Sequence, residues 1–433
     1  MTRNAAPPRV VGVLSASLLN LNGMIGAGIF ALPALLYLGL GNYAPFAIIL
    51  FAIPTACLAA VIAKLSTLFE RSGGGQLYVE TALGKYTGFQ VGWFVICASS
   101  TGRAANFHVL VSYLAALFPF FGGSIARPVT IIALISFMTF LSVIGTKRSL
   151  GGVWIGTIAK LAPLVLLCVL GIGMNGIPTG TELPSFSELE SVALLIAYAF
   201  SGFATAATTA GETKDPHTSI YRSIFMALAG VAIFYAMVQW AYIVIAPDIG
   251  PEDTPLAAAA QKLLGDWGAV MISAAAVFSI ATNQLTGFIV YPRILLGMSE
   301  RKLLPGFFAH VSPRFLTPDY AILSFGLFVM LIAISGSFAT LATLLVAVEQ
   351  IIFALVLISF GVFWKNNFRG LRDAIGPRWL VVFPVAAAMV VWMSIQVPAT
   401  AVLSTAGMIA IGTIFYFVSR NSVARKLPKV QQS

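Results

Sequence analysis

From Asn20 to Pro33 the chain reads Asn-Leu-Asn-Gly-Met-Ile-Gly-Ala-Gly-Ile-Phe-Ala-Leu-Pro, placing Gly23, Gly26 and Gly28 inside an apolar stretch long enough to cross a bilayer. Each glycine weakens a helix by about 1 kcal/mol relative to alanine. In lipid, the amides and carbonyls of a broken helix have no water to satisfy them, so such a break persists only where it lines a cavity. The freed half-helix ends are suited to hold a solute, an anionic group at the N-terminal end and an amine or cation at exposed carbonyls. Three charged side chains at membrane depth, Arg103, Lys160 and Glu349, add to this chemistry. Charges so placed are costly and mark solute or ion pathways. Plainer readings exist: close helix packing for the glycines, and for Lys160 an ammonium that snorkels to the interface. Packing alone, however, does not need three glycines in six residues with a proline following.

The elements that must position these groups are membrane spans. The 433 residues are 59% hydrophobic and only 9% charged, against roughly 25% charged in a soluble domain. At about 20 residues per span, hydropathy predicts twelve, at 10–38, 43–68, 88–118, 126–144, 151–174, 189–211, 222–246, 268–298, 319–335, 338–364, 378–396 and 399–419. The expected fold class is therefore an all-α integral membrane protein, one transmembrane domain over 1–433 with no appended soluble domain. The net charge of +10 is then an orientation signal. With both termini in the cytoplasm, every Lys and Arg falls on the cytoplasmic side except Arg127 and Lys262 outside and Arg103 and Lys160 within spans. The acidic residues split evenly between the two sides, leaving Glu349 within a span, and this asymmetry is what the positive-inside rule requires. A nucleic-acid surface would need basic residues clustered beside aromatics on one face, and here they are spread over successive loops.

The polar stretch ahead of the first span is short and the apolar segment after it is too long for a secretory h-region, so no cleaved signal is expected. The location implied is the cell membrane. Cys57, Cys97 and Cys168 all fall inside predicted spans, too few and too dispersed for a disulfide framework or a metal site. With three scattered histidines and no acid pairs, no nucleophile with a base is visible, which argues against an enzyme, and no cofactor is expected. His108 reads as a buried, satisfied side chain.

A second interruption appears five spans after the first, at Ser201-Gly202-Phe203-Ala204. Two interrupted spans at corresponding positions of two halves point to a midplane binding site. Because five is odd, the second half enters the membrane upside down, giving an inverted repeat of 10–174 and 189–364, with 378–419 as two additional helices.

At this point four motifs in register carry a resemblance. Gly26-Ala27-Gly28-Ile29-Phe30, the segment Leu65-Ser66-Thr67-Leu68-Phe69-Glu70-Arg71-Ser72-Gly73-Gly74, Glu212-Thr213-Lys214-Asp215-Pro216, and Arg293 through Leu304-Pro305 together resemble the amino acid-polyamine-organocation transporters. The resemblance implies twelve helices in a 5+5 inverted repeat with discontinuous helices 1 and 6, alternating access, and an amino acid or related amine as substrate. Carried over by position, it puts the substrate carboxylate on the amides of Ala27 and Gly28, with Gly26, at a helix N-terminus. The ammonium would go to the carbonyls of Met24, Tyr198 and Ser201, and the side chains of Tyr198, Phe203 and Ala204 would shape the remaining pocket.

Lys160 lies about 14 Å into its span at 1.5 Å per residue. The resemblance implies that it stands in for a sodium ion, bridging carbonyls of span 1 and polar groups of span 8, where Thr282 and Asn283 are the candidates. An amine there could take up and release a proton as the site is hydrated and closed, which favours proton coupling or ion-free exchange over sodium coupling. Arg103 cannot readily lose its proton and must find an anion. Two readings stay open: a permanent pair with Glu349 that holds or gates the outer half, or an arginine that binds a substrate carboxylate with Glu349 as the proton carrier. In a third, either group sits in a wet crevice. Ala204 stands where many relatives carry Asp or Glu, so a neutral or acid-bearing amino acid is expected over a cationic one. The functions implied are proton-coupled amino acid transport, sodium-independent exchange, or amino acid sensing without transport.

Overall fold

Hydrophobic runs this long bury their backbone polar groups only by closing them into helices, and the computed structural model is α-helical with short 3-10 turns throughout its described residues. These are 17, 21, 23–69, 74–145, 150–176, 182–203, 216–246 and 253–424, with backbone alone at 150–159, 216–220 and 420–424. The helices are α1 (Gly28–Leu40), α2 (Ala44–Ser66), α3 (Gly74–Leu83), α4 (Lys85–Leu117), α5 (Ala126–Ile144), α6 (Leu150–Asn175), α7 (Phe186–Phe200) and α8 (Pro216–Ile245). They continue with α9 (Pro255–Leu264), α10 (Asp266–Val290), α11 (Pro292–Glu300), α12 (Asp319–Ala333), α13 (Phe338–Lys365), α14 (Trp379–Ile395) and α15 (Ala399–Ala424).

Among the described residues six helical stretches are long and apolar enough to cross a membrane: Gly28–Ser66, Ala126–Ile144, Tyr221–Ile245, Asp266–Glu300, Phe338–Lys365 and Ala399–Ser419. Shorter apolar helices run over Lys160–Asn175, Asp319–Ala333 and Trp379–Ile395. Large apolar side chains stand exposed along α5 (Phe137, Phe140), α14 (Leu380, Val391) and α15 (Leu403, Ile414), a surface that suits lipid and would be a liability in water. Cys57, Cys97 and Cys168 are free thiols.

Helix ends are set by local chemistry. Before α7, Ser185 and Glu188 form a capping box: the Glu188 amide donates to Ser185 Oγ at 3.3 Å and the Ser185 amide to Glu188 Oε2 at 2.7 Å, satisfying amides the helix itself leaves open. The start of α1 has no such device. Its N-cap is Ala27, with no side-chain hydrogen bond, so the first amides of α1 are left for another acceptor.

The longest helix, α4, has 33 residues, about 50 Å at 1.5 Å per residue. It is the shaft of the bundle, packed against α3, α10, α12 and α13. That position explains how it carries Gln90, Ser100, Thr101, Arg103 and Asn106 without exposing them to lipid: all but Arg103 are buried and Arg103 is half-buried. Around it, α7 packs on α1 and α13, and α6 on α8 and α10. At one end of α4, Arg127 donates to Asp253 Oδ2 at 2.7 Å and to Ser112 Oγ at 2.8 Å, tying the segment before α9 to α4 and α5. The helices α3, α9 and α11 lie between predicted spans or at their edges and are additions to the expected set.

Candidate functional site

At each expected interruption a helix ends, and the two ends touch. Helical backbone at Met24 gives way to non-helical Ile25, Gly26 and Ala27 before α1 begins at Gly28. On the other side α7 ends at Phe200, and Gly202 takes φ +96, a conformation that glycine adopts without strain. A Cβ at Gly202 would stand 3.5 Å from the Gly23 carbonyl oxygen and 4.0 Å from Met24 Cα. The end of one half-helix therefore abuts the turn that ends the other.

Gly28 opens onto two tyrosines. A Cβ there would lie 3.3 Å from Tyr198 Cε1 and 3.4 Å from the Tyr235 hydroxyl. Tyr198 is buried, stands edge-on to Phe338 at 5.5 Å, and donates its hydroxyl to Asn106 Oδ1 at 2.6 Å. That bond fixes the Asn106 amide so that Nδ2 faces the first break, 3.6 Å from where a Gly26 Cβ would be. Phe203 is buried and stacks on Phe353 at 5.5 Å. The arrangement can hold a small zwitterion: a helix head for its carboxylate, aromatic walls, and carbonyls at two helix ends for its ammonium.

Some of the backbone groups assigned to the substrate are already engaged. The Gly26 amide donates to the Met24 carbonyl at 2.9 Å, and the Ser201 amide to the Tyr198 carbonyl at 3.1 Å. Each carbonyl keeps a second lone pair, whereas the Gly26 amide is committed, leaving Ala27 and Gly28 as the amides at the head of α1. Ala204, the segment Glu212 to Asp215 and the stretch Glu70 to Gly73 lie outside the described residues.

Lys160 is 4% exposed, and its ammonium donates to the Ile25 carbonyl at 3.3 Å. It thus reaches the first break, where the sequence placed it, rather than the interface. The Thr282 hydroxyl is exposed and donates to Phe278 of its own helix at 2.8 Å, the default for a threonine in a helix interior. Asn283 bonds Arg103 through its side-chain oxygen, and its carbonyl accepts from Arg103 Nη1 at 2.8 Å.

Arg103 and Glu349 are not paired. Arg103 Nη1 also reaches Gln284 Oε1 at 3.1 Å, Gln284 Nε2 returns a bond to the Arg103 carbonyl at 2.7 Å, and the guanidinium lies over the Tyr291 ring at 5.6 Å. Glu349 instead accepts from the Ser201 hydroxyl at 2.8 Å, linking α13 to the second break. The expected ion pair is corrected for a geometric reason: α4 turns Arg103 toward α10 and α13 turns Glu349 toward α7. With separate partners, the losses caused by Arg103→Leu and Glu349→Leu should be additive, with a coupling below about 0.5 kcal/mol. Melting curves of both single variants and the double variant in detergent check this, and substantial recovery in the double variant would restore the pair. His108 bonds the Ala333 carbonyl at 2.8 Å, a satisfied histidine.

The sequence reading missed Asn106, Tyr235, Gln284 and Gly287. Asn106 had a signal, since it lies three residues after Arg103 and so on the same face of a helix.

The sequence profile of a family described as amino acid permease matches residues 11–419. The chain is 30% identical over 339 residues to the serine/threonine exchanger SteT of Bacillus subtilis (strain 168), covering 75% of this chain and 76% of that protein. It is 27% identical over 430 residues to the methylthioribose transporter of the same organism, covering 95% and 93%. A third relative there, the branched-chain amino acid permease BcaP, is 26% identical over 343 residues, covering 73% of each chain. These relatives are transporters, not enzymes.

Proposed function

Because the chain belongs to the amino acid permease family, we propose that it moves an amino acid across the cell membrane by alternating access, holding it between the break before α1 and the break after α7. The observation that carries this reading is the contact of the two breaks, with Gly202 against Gly23 and Met24 and with Tyr198 against Gly28. The carboxylate sits on the amides of Ala27 and Gly28 at the head of α1, where backbone donors and helix dipole act together. Tyr235 adds a hydroxyl beside them. The ammonium takes the free lone pairs of the Met24, Tyr198 and Ser201 carbonyls, and Phe203 faces the side chain.

In this reading the chain crosses the membrane twelve times with both termini cytoplasmic, spans 1–5 and 6–10 are inverted repeats, and Lys160 couples transport to protons through its hold on the Ile25 carbonyl. Binding and release of that ammonium would free or fix the first break, and with it the half-helix that carries the carboxylate site. The substrate is an amino acid with a neutral or acid-bearing side chain in preference to a cationic one. The relatives named for serine, threonine and branched-chain amino acids favour the neutral class. The methylthioribose transporter widens the range a chain of this family accepts. Exchange is the second reading, favoured by the name of the serine/threonine exchanger among the relatives.

Proteoliposomes loaded with buffer or with unlabelled amino acid, and screened with the twenty amino acids with and without a pH gradient, test both readings. Uptake of a neutral amino acid that rises with an inward proton gradient supports coupled transport. Uptake only into preloaded vesicles supports exchange. A requirement for sodium would contradict the role given to Lys160, and uptake of no amino acid would contradict the substrate class.

A further inference from the structure

The groove that receives Arg103 on α10 is cut by a single residue. Gly287 is buried, and a Cβ added to it would stand 2.7 Å from Arg103 Nε and 2.9 Å from both Cδ and Cζ, closer than a Cβ comes to a non-bonded atom. The guanidinium therefore occupies the space that every residue except glycine would fill. Around that space α10 supplies a matching set: the Asn283 carbonyl and side-chain oxygen, Gln284 Oε1, and the Tyr291 ring one turn after Gly287. Gln284 is 0% exposed and closes the clasp by donating to the Arg103 carbonyl.

We propose that Gly287 is a positioning residue that sets substrate charge preference by seating Arg103 on α10, where neutral acceptors hold its guanidinium beside the first break. This rests on the amino acid reading above and deepens it. With the guanidinium held by neutral acceptors on α10, Arg103 acts as a strut between α4 and α10. The groups that then face the first break are the Asn106 amide and the Asn283 side-chain oxygen, 3.6 and 3.9 Å from where a Gly26 Cβ would be, and they suit amino acids with neutral side chains. Filling the groove forces the guanidinium out. Its stem is flexible and its Nε–H is buried without an acceptor among the described residues, so departure relieves an unmet donor. Because Asn283, its partner on α10, already borders the first break, a guanidinium freed from the groove reaches the substrate side chain there and favours a carboxylate.

Gly287→Ala is the test, made in the full-length parent and in Arg103→Leu. In the parent background it should lower the melting temperature in detergent. In Arg103→Leu, where the guanidinium is gone, the same change should leave stability unchanged or raise it, since alanine is the better helix former. Equal effects in the two backgrounds would overturn the proposal. A second readout is ligand stabilisation by serine, leucine and glutamate. Gly287→Ala should raise the affinity for glutamate relative to serine by about tenfold, equivalent to about 1.4 kcal/mol, and Gly287→Ala with Arg103→Leu should not. A parent-like ratio in Gly287→Ala would overturn the seating role while leaving the amino acid reading intact. If no amino acid stabilises the parent, the substrate reading falls and the stability cycle still decides the role of Gly287.

Discussion

Gly28→Val should weaken substrate binding severely while the protein still extracts and elutes as the parent does. Gly28 opens α1, and even a Cβ at this position reaches 3.3 Å from the Tyr198 ring and 3.4 Å from the Tyr235 hydroxyl. The two γ-methyls of valine would fill the space over the amides of Ala27 and Gly28, which the substrate carboxylate needs. Losing charge-assisted backbone bonds of this kind should weaken binding by about a hundredfold, some 2.7 kcal/mol, and uptake should fall with it. Folding is expected to tolerate the change because valine is the better helix former than glycine. Ligand-induced stabilisation, with size-exclusion profiles as the control, gives the answer. Parent-like binding by Gly28→Val would remove the first break from the site.

Lys160 gives the second large effect. Its ammonium is buried and bonded to the Ile25 carbonyl, so Lys160→Ala leaves an interrupted backbone without its cation. Uptake into proteoliposomes should fall at least about tenfold, the scale of one lost buried hydrogen bond to a charged group, and what remains should no longer follow the proton gradient. Lys160→Arg separates charge from proton exchange, because a guanidinium keeps its proton. That variant should retain substrate binding and lose the gradient response. A gradient response in Lys160→Ala equal to the parent's would show that coupling runs through another group, and Glu349, bonded to Ser201 at the second break, would be the next candidate.

The breaks were legible in the sequence because the information that makes them is local. Glycines in an apolar run weaken a helix wherever it packs, and Gly26, Gly28 and Gly202 fall where the backbone leaves the helix. The long helices were legible for a similar reason, since hydropathy over about 20 residues depends on composition. The helices α3, α9 and α11, of 10, 10 and 9 residues, were not, being short segments whose helicity comes from packing rather than from their own apolar length.

Side-chain pairing was the least legible part of the site. The predicted spans put Arg103 and Glu349 at comparable depth, but whether they meet depends on the rotation of α4 and α13 about their axes, which neither helix encodes alone. The partners Arg103 does meet include Gly287, a residue with no chemistry of its own that matters only for the volume it leaves. Thr282 illustrates the converse: a polar residue whose hydroxyl proton goes to its own helix. Asn106 was within reach of sequence reasoning, since the spacing from Arg103 puts both on one face.

The central claim is that the two half-helix ends hold an amino acid between them. Its most direct measurement is a cryo-electron microscopy structure of the full-length protein in lipid nanodiscs, bound to the amino acid that stabilises it most. The account predicts a substrate carboxylate within about 3 Å of the amides of Ala27 and Gly28, its ammonium toward the Tyr198 and Ser201 carbonyls, and Arg103 still seated on α10. Substrate density away from the α1 head, or a carboxylate held by Arg103 instead of those amides, would contradict it.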